Sequence, residues 1–476
     1  MKNVVVVGGG IAGLSAVHTL RKLLPSAVQI HLVEAANRLG GLVGTTRDDK
    51  YLFEVGPRGF RPSKNGAEIV SLVEQLSLQD ECIESMGHNR FVFTNGRVEQ
   101  VPGTPLEFLQ WSLAPDIIKA VLNEVTTPKS NASDESIYDF VARRFSPRIA
   151  EALLDPMASG IFAGNIKHLS VRSCFGLLYE KEQMHGSVVR SMLFHSTPPA
   201  LTMADGSLKT PFVQAKGKAM SLSFRNGMQT LIDALSTHIA SMPNTRVQLN
   251  TSLQSIDTAS PEKVRVALAT KDGTSSEILA DHVFSAIPAR HLMPALAASA
   301  PTAARAMGEI PFASVAIVTL GYRANVLPHR GFGHLVPSCE KQNIIGVIYD
   351  SCSFPQQQDD EHLTRLSVFV GGENHKELMA TLSLAEMEDV ARTSVEAHLG
   401  ITESPEYIAS TWYQDAIPQY PVGFHALVGR IETDLSVNVP RLTLLGNSFY
   451  GVGLADAVHR STVATTAFAK THFALE

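Results

Sequence analysis

The chain opens on an unbroken apolar run, Val4 to Val7 in NVVVVGGG, a pattern without period-two alternation that fits a strand buried on both faces. A glycine cluster ends it. Leu14, Val17 and Leu20 then recur at three-residue spacing, which predicts a helix starting at the glycines. A second apolar strand, VQIHLVEA, ends in Glu34. Further on, FRNGMQTLIDALSTHIASMPNTRVQLNTSLQSI predicts a helix followed by strands, and DHVFSAIP a buried strand with a turn. The end of the chain, RLTLLGNSFYGVGLADAVHRSTVATTAFA, predicts strand–turn–helix: Leu442 to Leu445 as the strand, Gly451 and Gly453 in the turn, and Leu454 opening the helix.

The middle of the chain is less regular. TPLEFLQWSLAPDIIKAVLNEV gathers Phe108, Leu109, Trp111, Leu113, Ile117, Ile118, Val121 and Leu122 in one helical region with Lys119 among few charges. VVRSMLFHSTPPALTM sets apolar residues beside proline breaks, and Lys209, Lys216 and Lys218 follow. Such a pattern fits a helix lying in a bilayer interface, and it equally fits a helix packed in a core. No apolar run approaches the roughly 18 residues of a spanning helix, so none is expected. A strand beginning at residue 3 is expected to leave no room for a cleavable presequence. No internal repeat or low-complexity segment occurs.

At 476 residues, with 44% hydrophobic and 18% charged, the chain is long enough for two or three domains with large cores. A net charge of -6 supplies no overall basic field, so nucleic acid is not an expected partner. Cys82, Cys174, Cys339 and Cys352 show no CxxC or Cys/His spacing, which argues against a disulfide framework, a metal site or a dithiol centre.

Chemistry first appears in the N-terminal glycines. Gly8, Gly10 and Gly13 fit G-x-G-x-x-G; with Gly9, Ile11 and Ala12 they form a loop that lets backbone approach a pyrophosphate at a helix N-terminus. Glu34 stands about twenty residues beyond the last glycine, where a carboxylate accepts hydrogen bonds from ribose hydroxyls and disfavours a 2'-phosphate. FAD and NAD both remain open at this point.

The next stretch, ANRLGGLVGT, places Arg38, Gly40, Gly41 and Thr45 in the pattern R-x-G-G-x-x-x-[ST], which resembles the signature of the flavin amine oxidase superfamily. That resemblance implies one non-covalent FAD, with Gly40, Gly41 and Leu42 making a second backbone approach to the diphosphate and Arg38 close by. The family often carries another arginine where this chain has Leu42, so backbone contact is implied there. It also implies that Gly56, Pro57, Arg58 and Gly59 of FEVGPRGFRP form a loop beside the flavin ring, with Arg58 able to stabilise reduced flavin and Arg61 supporting the loop. Leu253 is implied at the adenine, and Trp412, Asn447, Val452, Gly453 and Leu454 complete the cofactor set. The fold implied is α/β. A discontinuous Rossmann-like FAD-binding domain of the p-hydroxybenzoate hydroxylase/amine oxidase type would cover 1–90, 217–288 and 430–476. A mainly helical membrane-binding domain would cover 94–210, and an α+β substrate-binding domain 289–429.

A narrower resemblance runs from residue 4 to about 465. VGPRGFRP, NRFVF, GIFAGNIKHLSVRSCF, SAIPA, GFGHLVPS, IIGVIYDSCSFP, IPQY and GNSFYGVGL, taken in order, resemble the oxygen-dependent, FAD-containing protoporphyrinogen oxidases. On its own, Arg90 reads as a surface arginine on an edge strand, and Leu335, Ile348 and Phe369 as strand core. The resemblance implies instead that Arg90 pairs with a substrate propionate, that Gly160 lets backbone approach the macrocycle, and that Leu335, Ile348 and Phe369 wall it. The implied reaction is a six-electron oxidation of protoporphyrinogen IX, the penultimate step of haem biosynthesis. Three hydride transfers to flavin N5 would be followed by reoxidation with O2 and release of peroxide, with no catalytic side chain and no metal. A membrane lipid surface, a homodimer, handover to ferrochelatase, and a place on the mitochondrial inner membrane or the cytoplasmic face of a bacterial plasma membrane are further implications. Coproporphyrinogen III oxidation to coproporphyrin III and a non-catalytic flavoprotein scaffold at a membrane stand as alternatives.

Overall fold

The computed structural model describes residues 2–194 and 200–473. Its nucleotide-binding layer is a parallel sheet of five strands, in the order Leu442–Leu444, His282–Ser285, Asn3–Val7, Gln29–Val33 and Thr245–Gln248. These strands come from three separated stretches of chain. The opening valines are apolar without alternation because the sheet is covered on both sides. Val4 and Val6 pack with helices Ile11–Leu23 and Leu454–Phe473, whereas Val5 and Val7 pack with a three-stranded antiparallel sheet, Thr251–Ser260, Lys263–Thr270 and Ser275–Ala280.

A second sheet has seven strands, in the order Tyr407–Pro418, Phe312–Tyr322, Thr364–Gly371, Ile344–Tyr349, Gly333–Leu335, Arg90–Thr94 and Arg97–Gln100. Helix Leu384–Leu399 covers one face through Met387, Ala391 and Val395. Ser383 and Glu386 start that helix with a reciprocal capping box. The hairpin Arg90–Thr94/Arg97–Gln100 hydrogen-bonds into this sheet, so it lies with residues 312–418 rather than with the blocks 1–90 and 94–210 expected for it. Arg90 is therefore not on an edge strand: Arg97–Gln100 flanks it on one side and Gly333–Leu335 on the other.

From residue 105 to 194 the described chain is mainly helical, with loops at 127–136 and 163–170. The single helical region read over residues 104–125 is two helices, Pro105–Gln110 and Ala114–Thr126, broken at Trp111. Pro115 explains the break, since proline suits a helix's first turn and disrupts an interior. Ala114–Thr126 buries Ala114 and Ala120 and packs Ile117 on the core, but its last turns are inverted. It buries Glu124, whose carboxylate takes the guanidinium of Arg144, the hydroxyl of Ser187 (2.6 Å) and the N–H of Val188 (2.7 Å), while Leu122 is 68% exposed. Arg144 and Glu182 are wholly buried beside it. The apolar stretch 188–203 begins as the helix Val188–Phe194; its residues 195–199 lie outside the described residues.

Candidate functional site: three glycine loops and one sheet face

Three loops converge at the carboxyl end of the parallel sheet. In the first, a Cβ on Gly13 would stand 1.8 Å from the Gly8 carbonyl oxygen, so only glycine lets the helix come this close to the strand. Glu34 braces that loop: its carboxylate accepts from the N–H of Gly9 at 2.6 Å and of Ala36 at 2.7 Å. The second loop lies against the first through Gly40 N–H donating to Gly9 O at 2.8 Å. Arg38 organises this loop by donating to the carbonyls of Leu39, Gly41 and Val43. In the third, a Cβ on Gly56 would meet the Leu42 carbonyl oxygen at 1.8 Å. Beyond Glu34 a cleft of about 470 Å³ is lined by Ala35, Ala36, Asn37, Asn250, Ser252 and Lys271. Leu253 follows Ser252 in the same strand, half-buried against the core.

The third loop carries Arg58, which is 8% exposed. Its guanidinium lies 4.6 Å from the centre of the Phe369 ring, donates from Nε to Asp350 Oδ1 at 3.2 Å and from Nη1 to Gly56 O at 3.1 Å. Asp350 Oδ2 in turn accepts from Ser367 Oγ at 2.6 Å. Nη2 of Arg58 is buried without a partner. A buried N–H without an acceptor is costly, and it marks where an acceptor of a bound group belongs. With the adjoining backbone cradle, this donor set fits a flavin dinucleotide. Arg61, expected to support the loop, is exposed and has no side-chain hydrogen bond among the described residues.

Two buried groups beside Arg58 had no role in the sequence reading. Glu54 accepts from Met228 N–H at 2.7 Å and Thr45 Oγ1–H at 2.8 Å, and burial pushes its carboxyl up to about 7. Arg365 is 1% exposed and donates to the carbonyls of Leu52 and Phe354. Burial lowers its pKa.

The register of the seven-stranded sheet puts the expected substrate residues on one face. One cross-strand row reads Val92, Leu335, Gly346, Phe369, Ile317, Thr411; another reads Arg90, Gly333, Ile348, Ser367, Thr319, Ala409. Gly160, on helix Asp155–Phe162, lies over the first row: a Cβ there would be 2.8 Å from Leu335 Cδ2. Arg90 is exposed and its side chain has no ion pair among the described residues. Trp412 pairs with Ala316 and packs on the face that helix Leu384–Leu399 covers. The pleat thus turns its indole away from the site face. Tyr413, one residue on, is the aromatic side chain on the site face, clustered with Phe369, Ile345 and Ala163. Burial raises its phenol pKa, and the charges of Arg38 and Arg58 oppose that shift.

At the chain's end, the one-turn helix Asn447–Tyr450 leads through Gly451, Val452 and Gly453 into Leu454–Phe473. That last helix packs along Ile11–Leu23, with Ser461 Oγ donating to Ala12 O at 2.9 Å. The C-terminal turn therefore sits beside the first glycine loop, and the cofactor residues expected at both ends of the chain converge.

A family model described as flavin containing amine oxidoreductase matches residues 11–464. Protoporphyrinogen oxidase of Bos taurus is 35% identical over 471 residues, covering 96% of both chains. Coproporphyrinogen III oxidase of Bacillus subtilis (strain 168) is 25% identical over 480 residues, covering 98% of this chain and 97% of that one. The solved structure of an Exiguobacterium sp. 255-15 protein aligns with a TM-score of 0.80 over 99% of both chains, and at 23% identity it shows the fold alone. With the second and third glycine loops, buried Arg58 and the C-terminal turn inside the matched region, the chain belongs to the flavin-containing amine oxidoreductase family.

Proposed function

We propose that the chain oxidises protoporphyrinogen IX to protoporphyrin IX with FAD and O2. The observation that carries this reading is the site face of the seven-stranded sheet. Its two rows hold Arg90 as their own cation and a wall of Leu335, Ile348 and Phe369, with the Arg58–Asp350 pair set against Phe369 and Ser367. A tetrapyrrole with two propionates at one edge asks for such a surface: a guanidinium for carboxylate and hydrocarbon for the rest. Gly160 packs directly on Leu335, so its helix sets the position of that wall residue. FAD, when bound, would supply the hydride acceptor for three two-electron steps, each reoxidised by one O2 to give one peroxide. The pyrrole nitrogens stabilise the cation that develops, so the protein's task is to orient the ring and exclude water. Arg58 supplies a fixed positive charge on the flavin side.

The cofactor assignments follow the three loops and the C-terminal turn: Gly8 to Gly13, Glu34, Arg38 to Leu42, Gly56 to Gly59, Leu253, the Trp412 backbone, and Asn447 with Val452 to Leu454. Membrane contact is supported by the inverted last turns of Ala114–Thr126 and by Leu106 and Leu109, which are 67% and 69% exposed. No helix among the described residues is long and apolar enough to cross a membrane, so contact would be with the surface. A homodimer, handover to ferrochelatase and placement on a mitochondrial inner or bacterial plasma membrane rest on the family resemblance.

The purified protein is expected to be yellow and, in air, to convert protoporphyrinogen IX into fluorescent porphyrin with three O2 consumed per ring. Faster turnover of coproporphyrinogen III, a ring with four propionates, would favour the other porphyrinogen. Bound flavin with no turnover of either would favour a scaffold.

A further inference from the structure

Tyr420 lies just past strand Tyr407–Pro418, 1% exposed. Its ring stacks on Phe424, with centroids 4.2 Å apart, and meets Phe162 edge-on at 6.2 Å. Phe162 ends the helix that carries Gly160. The Tyr420 hydroxyl donates to the carbonyl of Asn447 and accepts from the N–H of Gly451 at 3.0 Å. One oxygen thus pins both ends of the one-turn helix that precedes Val452, Gly453 and Leu454. The neighbouring Gln419 is buried and donates from Nε2 to Phe162 O at 2.7 Å. The dipeptide therefore grips the substrate-side helix with one residue and the C-terminal turn with the next.

We infer that Tyr420 is a positioning residue for the bound flavin, holding the turn whose amides at 452–454 face the cofactor in register with the helix that carries Gly160. This rests on the FAD reading above. A role confined to stability would lower the unfolding temperature and leave the flavin's environment untouched. A positioning role changes the flavin itself.

The test uses full-length protein with Tyr420→Phe, which keeps the aromatic stack and removes both hydrogen bonds. Reconstitution of the variant's apoprotein is expected to show FAD affinity weakened about tenfold, the loss typical of a buried hydrogen bond. The visible flavin bands should shift, and kcat should fall more than KM rises. In wild type, FAD should slow amide hydrogen exchange across 451–454, which tests whether that turn meets the cofactor even if the variant does not fold. Exchange there unaffected by FAD, or a folded Tyr420→Phe protein matching wild type in affinity and spectrum, overturns the inference alone. A wild-type protein that takes up no FAD overturns the FAD reading and this inference with it.

Discussion

Arg58 and Asp350 stand 292 residues apart in the chain and meet at 3.2 Å, each side chain 8% exposed. The pair fastens the flavin-side loop to the sheet that carries Phe369. Asp350→Asn keeps the shape and removes the charge, leaving a buried guanidinium uncompensated. The expected cost is about 3 kcal/mol of unfolding free energy with reduced FAD retention. Ser367→Ala, which removes only the hydroxyl bonded to Asp350 Oδ2, should cost about 1 kcal/mol. Denaturant titration with flavin content measured at each step separates the two; equal effects would mean that the charge of Asp350 is not what holds the loop.

Glu54 gives the fold a pH dependence of definite sign. Burial, opposed by the Met228 and Thr45 hydrogen bonds and by the charge of Arg58, raises its carboxyl from an ordinary 4.5 to about 7. Between those values the folded protein holds a proton that the unfolded chain has released, so this group's contribution to stability falls as pH rises across that window. The full loss is at most about 3 kcal/mol. Glu54→Gln keeps an oxygen for the Met228 N–H and cannot ionise. Compared at pH 5 and pH 8 by thermal unfolding, wild type should lose stability that the variant retains; parallel curves would show that Glu54 is charged throughout.

How much of this was legible in the sequence depends on how local the determinant is. Gly8 to Gly13, Glu34 and Arg38 to Gly41 act within about forty residues of chain, and there the spacing sufficed to place the loops. The Arg58–Asp350–Ser367 chain spans sheet strands whose register no motif reports. Trp412 and Tyr413 differ by one residue, and only the pleat decides which ring faces the site. Ala114–Thr126 misled for a different reason. Charged residues are seldom fully buried, so nothing in the pattern marked Glu124 as the inside and Leu122 as the outside. The break before Ala114–Thr126 is local by contrast, because Pro115 suits only a helix's first turn.

Gly160→Ala should separate substrate fit from fold. Alanine is favoured over glycine in a helix interior by up to about 1 kcal/mol, so the unfolding temperature should hold or rise. The new methyl would stand 2.8 Å from Leu335 Cδ2 and push that side chain, part of the proposed wall, out of place. KM for protoporphyrinogen is expected to increase with FAD binding unchanged. An unchanged KM would remove Gly160 from the substrate surface.

Arg90→Ala addresses the carboxylate anchor. Arg90 has no ion pair to lose among the described residues, so stability and flavin content should match wild type. A charge-assisted bond of about 1.5–3 kcal/mol corresponds to roughly a tenfold to hundredfold drop in kcat/KM, and Arg90→Lys should restore only part of it because lysine lacks the bidentate fork. A porphyrinogen whose propionates are esterified should discriminate poorly between wild type and variant. If the free acid also fails to discriminate, the anchor lies elsewhere.

The inverted last turns of Ala114–Thr126 make the membrane question one of physical chemistry. Because Glu124 and Arg144 neutralise each other inside, Ala114–Thr126 is left with Leu122 on its outer side, 68% exposed, near a run in which Leu106 and Leu109 are similarly bare. Apolar side chains in water gain by transfer into an acyl phase, at most about 1.5–3 kcal/mol for a leucine fully buried. Leu109→Glu with Leu122→Glu should therefore weaken co-sedimentation with phosphatidylcholine vesicles by at least about tenfold, with little dependence on salt, because the driving force removed is apolar rather than electrostatic. Turnover in detergent, where substrate needs no lipid route, should stay at the wild-type value. Vesicle binding unchanged in the double variant would mean that this bare face meets something other than lipid, whereas binding lost only at high salt would assign the attachment to the lysines near residues 209–218.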